Sequence, residues 1–214
     1  MNISQNISNY DVSKIRNHFP FLEVRPYGKN IIYFDNAASA QKPKIVLDRL
    51  TEFYSHEYAN VHRGLHYLAN AATEAYEDAR STVCKFLNAE NPEEIIFTRG
   101  ATEALNIIAG SFGSAHIGAG DEIILSAMEH HSNIVPWHYL REKNGAVIQW
   151  IDPDLDGNID IDKLSKLINK KTKIIALTHM SNVLGAPVKI KEITKMAHQH
   201  NVPILIDGSQ GAVH

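Results

Sequence analysis

The side chains able to do chemistry fall into four short clusters: Thr98-Arg99-Gly100-Ala101-Thr102, Met128-Glu129-His130-His131-Ser132-Asn133, Thr178-His179-Met180-Ser181-Asn182 and Asp207-Gly208-Ser209-Gln210. The last cluster follows the apolar run Pro203-Ile204-Leu205-Ile206, so Asp207 stands at the end of a buried strand. A carboxylate there is costly without a partner. A protonated cofactor nitrogen is one candidate partner. The other reading is a turn or helix-cap aspartate, because Asp-Gly is a common turn pair. In the first cluster, a turn leads into a helix whose opening N–H groups and dipole form an anion site, with the Thr102 hydroxyl as a further donor. A phosphate fits. A plain helix start capped by Thr98 or Thr102 fits as well. His130 and His131 are neighbours on an extended segment, so their rings are expected to point opposite ways and only one to face a shared site. His130 either stacks on an aromatic ring or does acid–base work, or it is a hydrogen-bonded strand-end histidine. Asn182 and Gln210 each offer a side-chain amide.

These clusters need elements to position them. Asp11 is expected to cap a short helix carrying Val12, Ile15 and Phe19, and Pro43 to open a helix through Tyr54. A long helix over 69–87 carries the stripe Ala72, Ala75, Tyr76, Ala79, Val83 and Phe86. Strands are expected at 31–34, 94–97, 122–125, 146–150, 173–177 and 203–206. Helices are expected at 102–109, 133–143, 161–168 and 189–200. Strands alternating with helices at this pitch predict an α/β fold, a mostly parallel sheet with helices on both faces. Ligands of such sheets sit beyond the carboxyl ends of the strands. The four clusters follow four expected strands, so they converge on one edge. An acid for a ring nitrogen, an imidazole for a ring face, two amides and a phosphate cradle match a planar phosphorylated pyridine. That chemistry points to pyridoxal 5'-phosphate.

The composition narrows the alternatives. The 214 residues are 44% hydrophobic and 21% charged, ordinary for a globular protein with a sizeable core. A net charge of −3 gives no general attraction to nucleic acid or anionic membrane. The single cysteine, Cys84, excludes an intrachain disulfide and points to a reducing, cytoplasmic setting. It lies beside the stripe of the long helix, the setting of an inert thiol. The polar start, rich in Asn and Ser over residues 1–10, reads as loose and lacks the pattern of a secretory signal. No P-loop or G-x-G-x-x-G occurs, which argues against an NTPase or dinucleotide enzyme. His62 and His66 have the spacing of a helical metal pair, but Gly64 lies between them and no Glu follows His62, so a metal is not expected.

Five segments carry a family resemblance: Asp35-Asn36-Ala37-Ala38-Ser39-Ala40-Gln41-Lys42-Pro43, Tyr58-Ala59-Asn60-Val61-His62-Arg63-Gly64-Leu65-His66, Arg99-Gly100-Ala101-Thr102-Glu103, Met128-Glu129-His130-His131-Ser132-Asn133-Ile134-Val135-Pro136-Trp137 and His179-Met180-Ser181-Asn182-Val183-Leu184-Gly185. They resemble the class V aminotransferase superfamily and, within it, the group II, SUF-type cysteine desulfurases. The resemblance implies a PLP-dependent transferase of fold type I, normally a homodimer. It would pass sulfur from L-cysteine, leaving L-alanine and an enzyme-bound persulfide, to an acceptor protein of iron–sulfur cluster assembly. It implies an N-terminal segment over 1–30 and a partial, cofactor-binding large domain over 31–214, without the C-terminal small domain. By motif position His130 would stack on the cofactor, Asp207 would pair with its ring nitrogen, and Asn182 and Gln210 would lie around its ring oxygen and the substrate. Ala101 and Thr102 would bind phosphate, and His62 and Arg63 would lie near the substrate entrance. Ala101 departs from the Thr usual in relatives, leaving its backbone as the donor. The Schiff-base lysine, nucleophilic cysteine and substrate-binding arginine of the family have no counterpart here, so the chain resembles an N-terminal half that is inactive alone. The alternatives are a selenocysteine lyase or other class V PLP enzyme, and a non-catalytic remnant that binds a partner.

Overall fold

The computed structural model describes residues 10–214; the expectation of a loose start therefore falls largely outside the described residues. The chain forms two compact units, one ending at Ile96 and one spanning Phe97–His214. Among the described residues no helix is long and apolar enough to cross a membrane.

In the first unit, Asp11 caps α1 (Val12–Arg16) by accepting from Lys14 N at 3.0 Å. Pro43 serves as N-cap of α2 (Lys44–Glu52), one place before its expected position, and a π turn continues α2 over Phe53–Glu57. The long helix is α3 (Tyr67–Leu87), which buries Ala69, Ala72 and Cys84 and ends on Asn88 in the left-handed region. Cys84 Sγ points at Ala89 O, 3.4 Å away. Two expected strands are absent. Residues 31–34 form no ladder, with Ile32 and Phe34 largely exposed. Their segment is held instead by Tyr33, whose hydroxyl is 3.1 Å from Asp35 O and 2.7 Å from Ser39 O. Residues 94–97 likewise form no strand: Glu94 ends the 3-10 turn Pro92–Glu94, and Ile95 O accepts from the Arg80 guanidinium. A β-strand exists only where a neighbour takes its backbone groups, and the described residues supply none at either place.

The second unit is built on four parallel strands, β1 (Glu122–Ser126), β2 (Val147–Ile151), β3 (Thr172–Thr178) and β4 (Ile204–Asp207), in the order β2-β1-β3-β4. The buried runs of β1 and β3 are apolar because both faces are covered. On one face Ile123, Leu125 and Ala176 pack with Leu105 of α4 (Ala101–Ile108) and with Trp137 and Leu140. On the other, Ile124, Ile175 and Leu177 pack with Leu164, Ile193 and Ala197. A short turn of helix, α5 (Ser114–His116), precedes β1. The remaining helices are α6 (Val135–Asn144), α7 (Ile161–Leu167) and α8 (Ile190–Gln199). Each expected helix and strand from 102 onward is present, shifted by two residues at most.

Candidate cofactor site at the carboxyl ends of the strands

The loop after β1 carries the first group of site residues. Glu129 is buried, and its two oxygens tie the loop together: Ser126 Oγ donates to Oε1 and Asn133 Nδ2 donates to Oε2 at 2.8 Å. Asn133 is in turn fixed by the indole of Trp137, whose Nε1 donates to Asn133 Oδ1 at 3.0 Å. Burial pushes the Glu129 carboxyl above the usual carboxylate range, and the charge of Asp207 pushes the same way. The donors Ser126, Thr178 and Asn133 oppose this without cancelling it.

His130 lies on the exposed side of this loop. Ser132 N–H donates to its Nδ1 at 3.2 Å, and a backbone N–H can only donate. Nδ1 therefore presents its lone pair, which places the proton of a neutral ring on Nε2. Ser132 Oγ is 2.9 Å from the same Nδ1 and 2.8 Å from Thr102 Oγ1, so a chain of hydroxyls joins the His130 ring to the start of α4. The two histidines do not point opposite ways. His131–Asn133 is a 3-10 turn rather than extended chain, and the His130 and His131 ring centroids are 4.0 Å apart at an interplanar angle of 39°.

The cluster at Thr98–Thr102 follows no strand, yet it reaches the site through Thr102. Neither threonine caps α4. Gly100 is the N-cap, without a side-chain cap, and Thr98 Oγ1 donates to Gly100 O. Among the described residues the N–H groups of Ala101 and Thr102 donate to nothing, which leaves two open donors at the start of α4.

At the end of β3, Ser181 Oγ accepts from Val183 N and Leu184 N, both at 3.2 Å, and the turn exposes Asn182. Asn182 and His130 line one cavity of about 500 Å³, together with Met128, Glu129, His131 and Pro153.

Asp207 ends β4, is buried, and pairs in register with Thr178. Its Oδ1 accepts from Ser209 N at 3.0 Å and from Ser209 Oγ at 2.6 Å. The turn reading is therefore correct as far as it goes. Both donors fall on Oδ1, which leaves Oδ2 as the acceptor for a cationic donor. The following turn is pressed against β3: a Cβ on Gly211 would collide with the His179 ring, so only glycine fits. That contact carries half-buried Gln210 on a fixed segment.

His62 and Arg63 belong to the first unit and are exposed. His62 has φ 59°, in the left-handed region; its Nε2 is 2.9 Å from Glu77 Oε1 and its N–H donates to Thr73 Oγ1. His66 caps α3, so the two histidines do not share a helical face.

Reading the sequence assigned no role to Glu129, Ser132 or Ser209. The available signal was the spacing of Glu129 and Asn133, four apart across a turn.

The comparisons with known proteins agree on the family. The model of the class-V aminotransferase family matches residues 32–214. The chain belongs to the class-V aminotransferase family. Over 201 residues it is 45% identical to a probable cysteine desulfurase of Halalkalibacterium halodurans, covering 94% of this chain and 50% of that protein. It is 44% identical over 205 residues to a cysteine desulfurase of Synechococcus elongatus, covering 96% of this chain and 33% of the relative. Among solved structures it is similar to the cysteine desulfurase CsdA from Escherichia coli, with a TM-score of 0.83 and 36% identity over 96% of this chain and 50% of that one. The chain spans 30% to 50% of the length of the curated relatives it matches. Its α/β fold with a parallel sheet is that of the fold type I transferases.

Proposed function

We propose that this chain is the cofactor-cradling part of a cysteine desulfurase that uses pyridoxal 5'-phosphate. The observation that carries the reading is free valence: the open Oδ2 of buried Asp207 at the end of β4, and the open N–H groups at the start of α4, which a hydroxyl chain joins to His130 after β1. The similarity to cysteine desulfurases supports the choice of reaction. The Glu129-His130-His131 motif with Asn133, Val135, Pro136 and Trp137 supports the SUF-type branch.

When bound, pyridoxal phosphate supplies the electron sink for breaking bonds at the substrate's α- and β-carbons. The chain's own residues position it. Asp207 Oδ2 would accept from the protonated ring nitrogen and keep the proton there. Ala101 N–H and Thr102 N–H would donate to phosphate at the positive end of α4, with the Thr102 hydroxyl beside it. His130 would cover one face of the ring, with Nε2 carrying the proton. Asn182 and Gln210 would supply amides for the ring oxygen and the substrate. The substrate is L-cysteine, leaving as L-alanine, and the sulfur goes as persulfide to an acceptor protein of iron–sulfur cluster assembly. The working form is a cytoplasmic homodimer in which residues 31–214 are part of the large domain. Cys84, the one cysteine, is buried on α3, so it is not the sulfur carrier and this chain alone does not turn over cysteine.

The test is alanine formation from L-cysteine by a form extended to the length of the relatives, with this chain as the control. The extended form should release alanine and, with a reductant, sulfide. Alanine release by the 214-residue chain itself, or none by the extended form, would refute the reading.

A further inference from the structure

The loop that carries His130 is held by a single buried side chain for which the proposed chemistry has no use. Glu129 bridges the end of β1, through Ser126, to the turn after His130, through Asn133. The backbone N–H of Thr178 at the end of β3 also faces it. All of these groups are buried, as is Trp137, which fixes Asn133 from α6. His130 is exposed and held through Nδ1 by Ser132, the residue just before Asn133. Whatever moves Asn133 moves Ser132, and with it the lone pair that orients the ring.

We propose that Glu129 is a positioning residue: its bridge from Ser126 to Asn133 sets the attitude of the His130 ring at the candidate cofactor site. The part that concerns the cofactor rests on the proposed function; the part that concerns the ring does not. The network has a defined polarity. Ser126 and Asn133 donate to Glu129, and Trp137 donates to Asn133. Glu129→Gln places an amide N–H₂ against the Asn133 amide donor or the Ser126 hydroxyl, so at least one buried donor loses its acceptor. Pairing it with Asn133→Asp reverses one bond and restores the rest. The introduced glutamine amide would donate to the introduced carboxylate, Trp137 would still have an acceptor, and Ser126 would still donate to the glutamine carbonyl. The reversed pair preserves the net charge.

The ring nitrogens of His130 are read by nitrogen NMR in the cofactor-free chain, and pyridoxal phosphate affinity is measured alongside. Glu129→Gln should shift the Nδ1 and Nε2 resonances of His130 and weaken cofactor binding about tenfold. The Glu129→Gln, Asn133→Asp pair should return both toward wild type. A merely structural lesion would not be rescued by moving the charge one partner along. Wild-type His130 resonances in Glu129→Gln, or a double variant no better than the single one, would overturn the inference. Because the NMR readout needs no cofactor, it stands apart from the proposed function, which fails separately if Asp207→Ala binds pyridoxal phosphate as wild type does.

Discussion

The two ends of the four-stranded sheet each carry a cavity, and the cavities differ in chemistry far more than in size. At the amino ends a space of about 480 Å³ is lined by Phe112, His116, Lys170, Lys173, His200 and Asn201. Three of its polar residues, Asn169, Thr172 and Lys173, are tied to neighbours. Asn169 Nδ2 donates to Glu122 Oε2 at 2.6 Å and to Leu167 O, Thr172 Oγ1 accepts from Asn169 N, and Lys173 pairs with Asp121 at 3.5 Å. At the carboxyl ends, about 500 Å³ is lined by Glu129, His130, His131 and Asn182, whose amide the chain leaves open; the open N–H groups of α4 and Asp207 Oδ2 are not part of that lining. Volume therefore does not mark the site in this unit. What sets the carboxyl ends apart is the open oxygen of a buried carboxylate, Asp207, at the end of a parallel sheet where ligands bind.

The comparison breaks if the two ends respond alike to substitution. The largest expected effect is Asp207→Ala in the extended form, which should lower alanine formation from cysteine by about a hundredfold or more, as a steady-state assay would show. An intermediate effect is expected of His130→Ala, which removes the ring cover and should raise the pyridoxal phosphate dissociation constant about tenfold, read by fluorescence titration. Thr102→Val, which deletes the hydroxyl but keeps the backbone donors, should weaken binding by less than His130→Ala. At the opposite end, Lys173→Ala should change neither cofactor affinity nor turnover and should cost at most about 1 kcal/mol in urea unfolding, since its ion pair is partly exposed.

A pH series sharpens the contrast. The Glu129 carboxyl binds its proton more tightly in the folded chain than in the unfolded one. Its contribution to stability is therefore fully present at low pH. It is lost as pH rises from the ordinary carboxylate range through the raised folded value. Urea unfolding of wild type and Glu129→Gln at several pH values should show the wild type losing ground to the variant across that window. A difference that is flat with pH, or that grows in favour of wild type, would contradict the burial of this carboxyl.

Much of this was legible in the residues. The alternation after residue 101 revealed the elements of the second unit because apolar runs and helical stripes are local patterns, and the polar clusters at the ends of β1, β3 and β4 followed directly. The strands expected at 31–34 and 94–97 failed for a physical reason: a strand is a relation between two segments, and a short apolar run does not name its neighbour. The histidine pair failed because a 3-10 turn replaces extended chain at His131–Asn133, which turns both rings to one side. Asp207 was legible as two alternatives: the turn is present, closed on one oxygen, and the other oxygen stays open. Glu129 was unreadable because its meaning depends on burial and on partners at Ser126 and Asn133 that only the folded loop supplies.

The central claim is that the carboxyl ends of this sheet hold pyridoxal phosphate through Asp207. Fluorescence titration of the 214-residue chain with pyridoxal phosphate, wild type beside Asp207→Ala, tests it most directly. The account predicts saturable binding by the wild type and an affinity at least about tenfold lower in the variant. Equal binding by the two, or no saturable binding by the wild type, would contradict it.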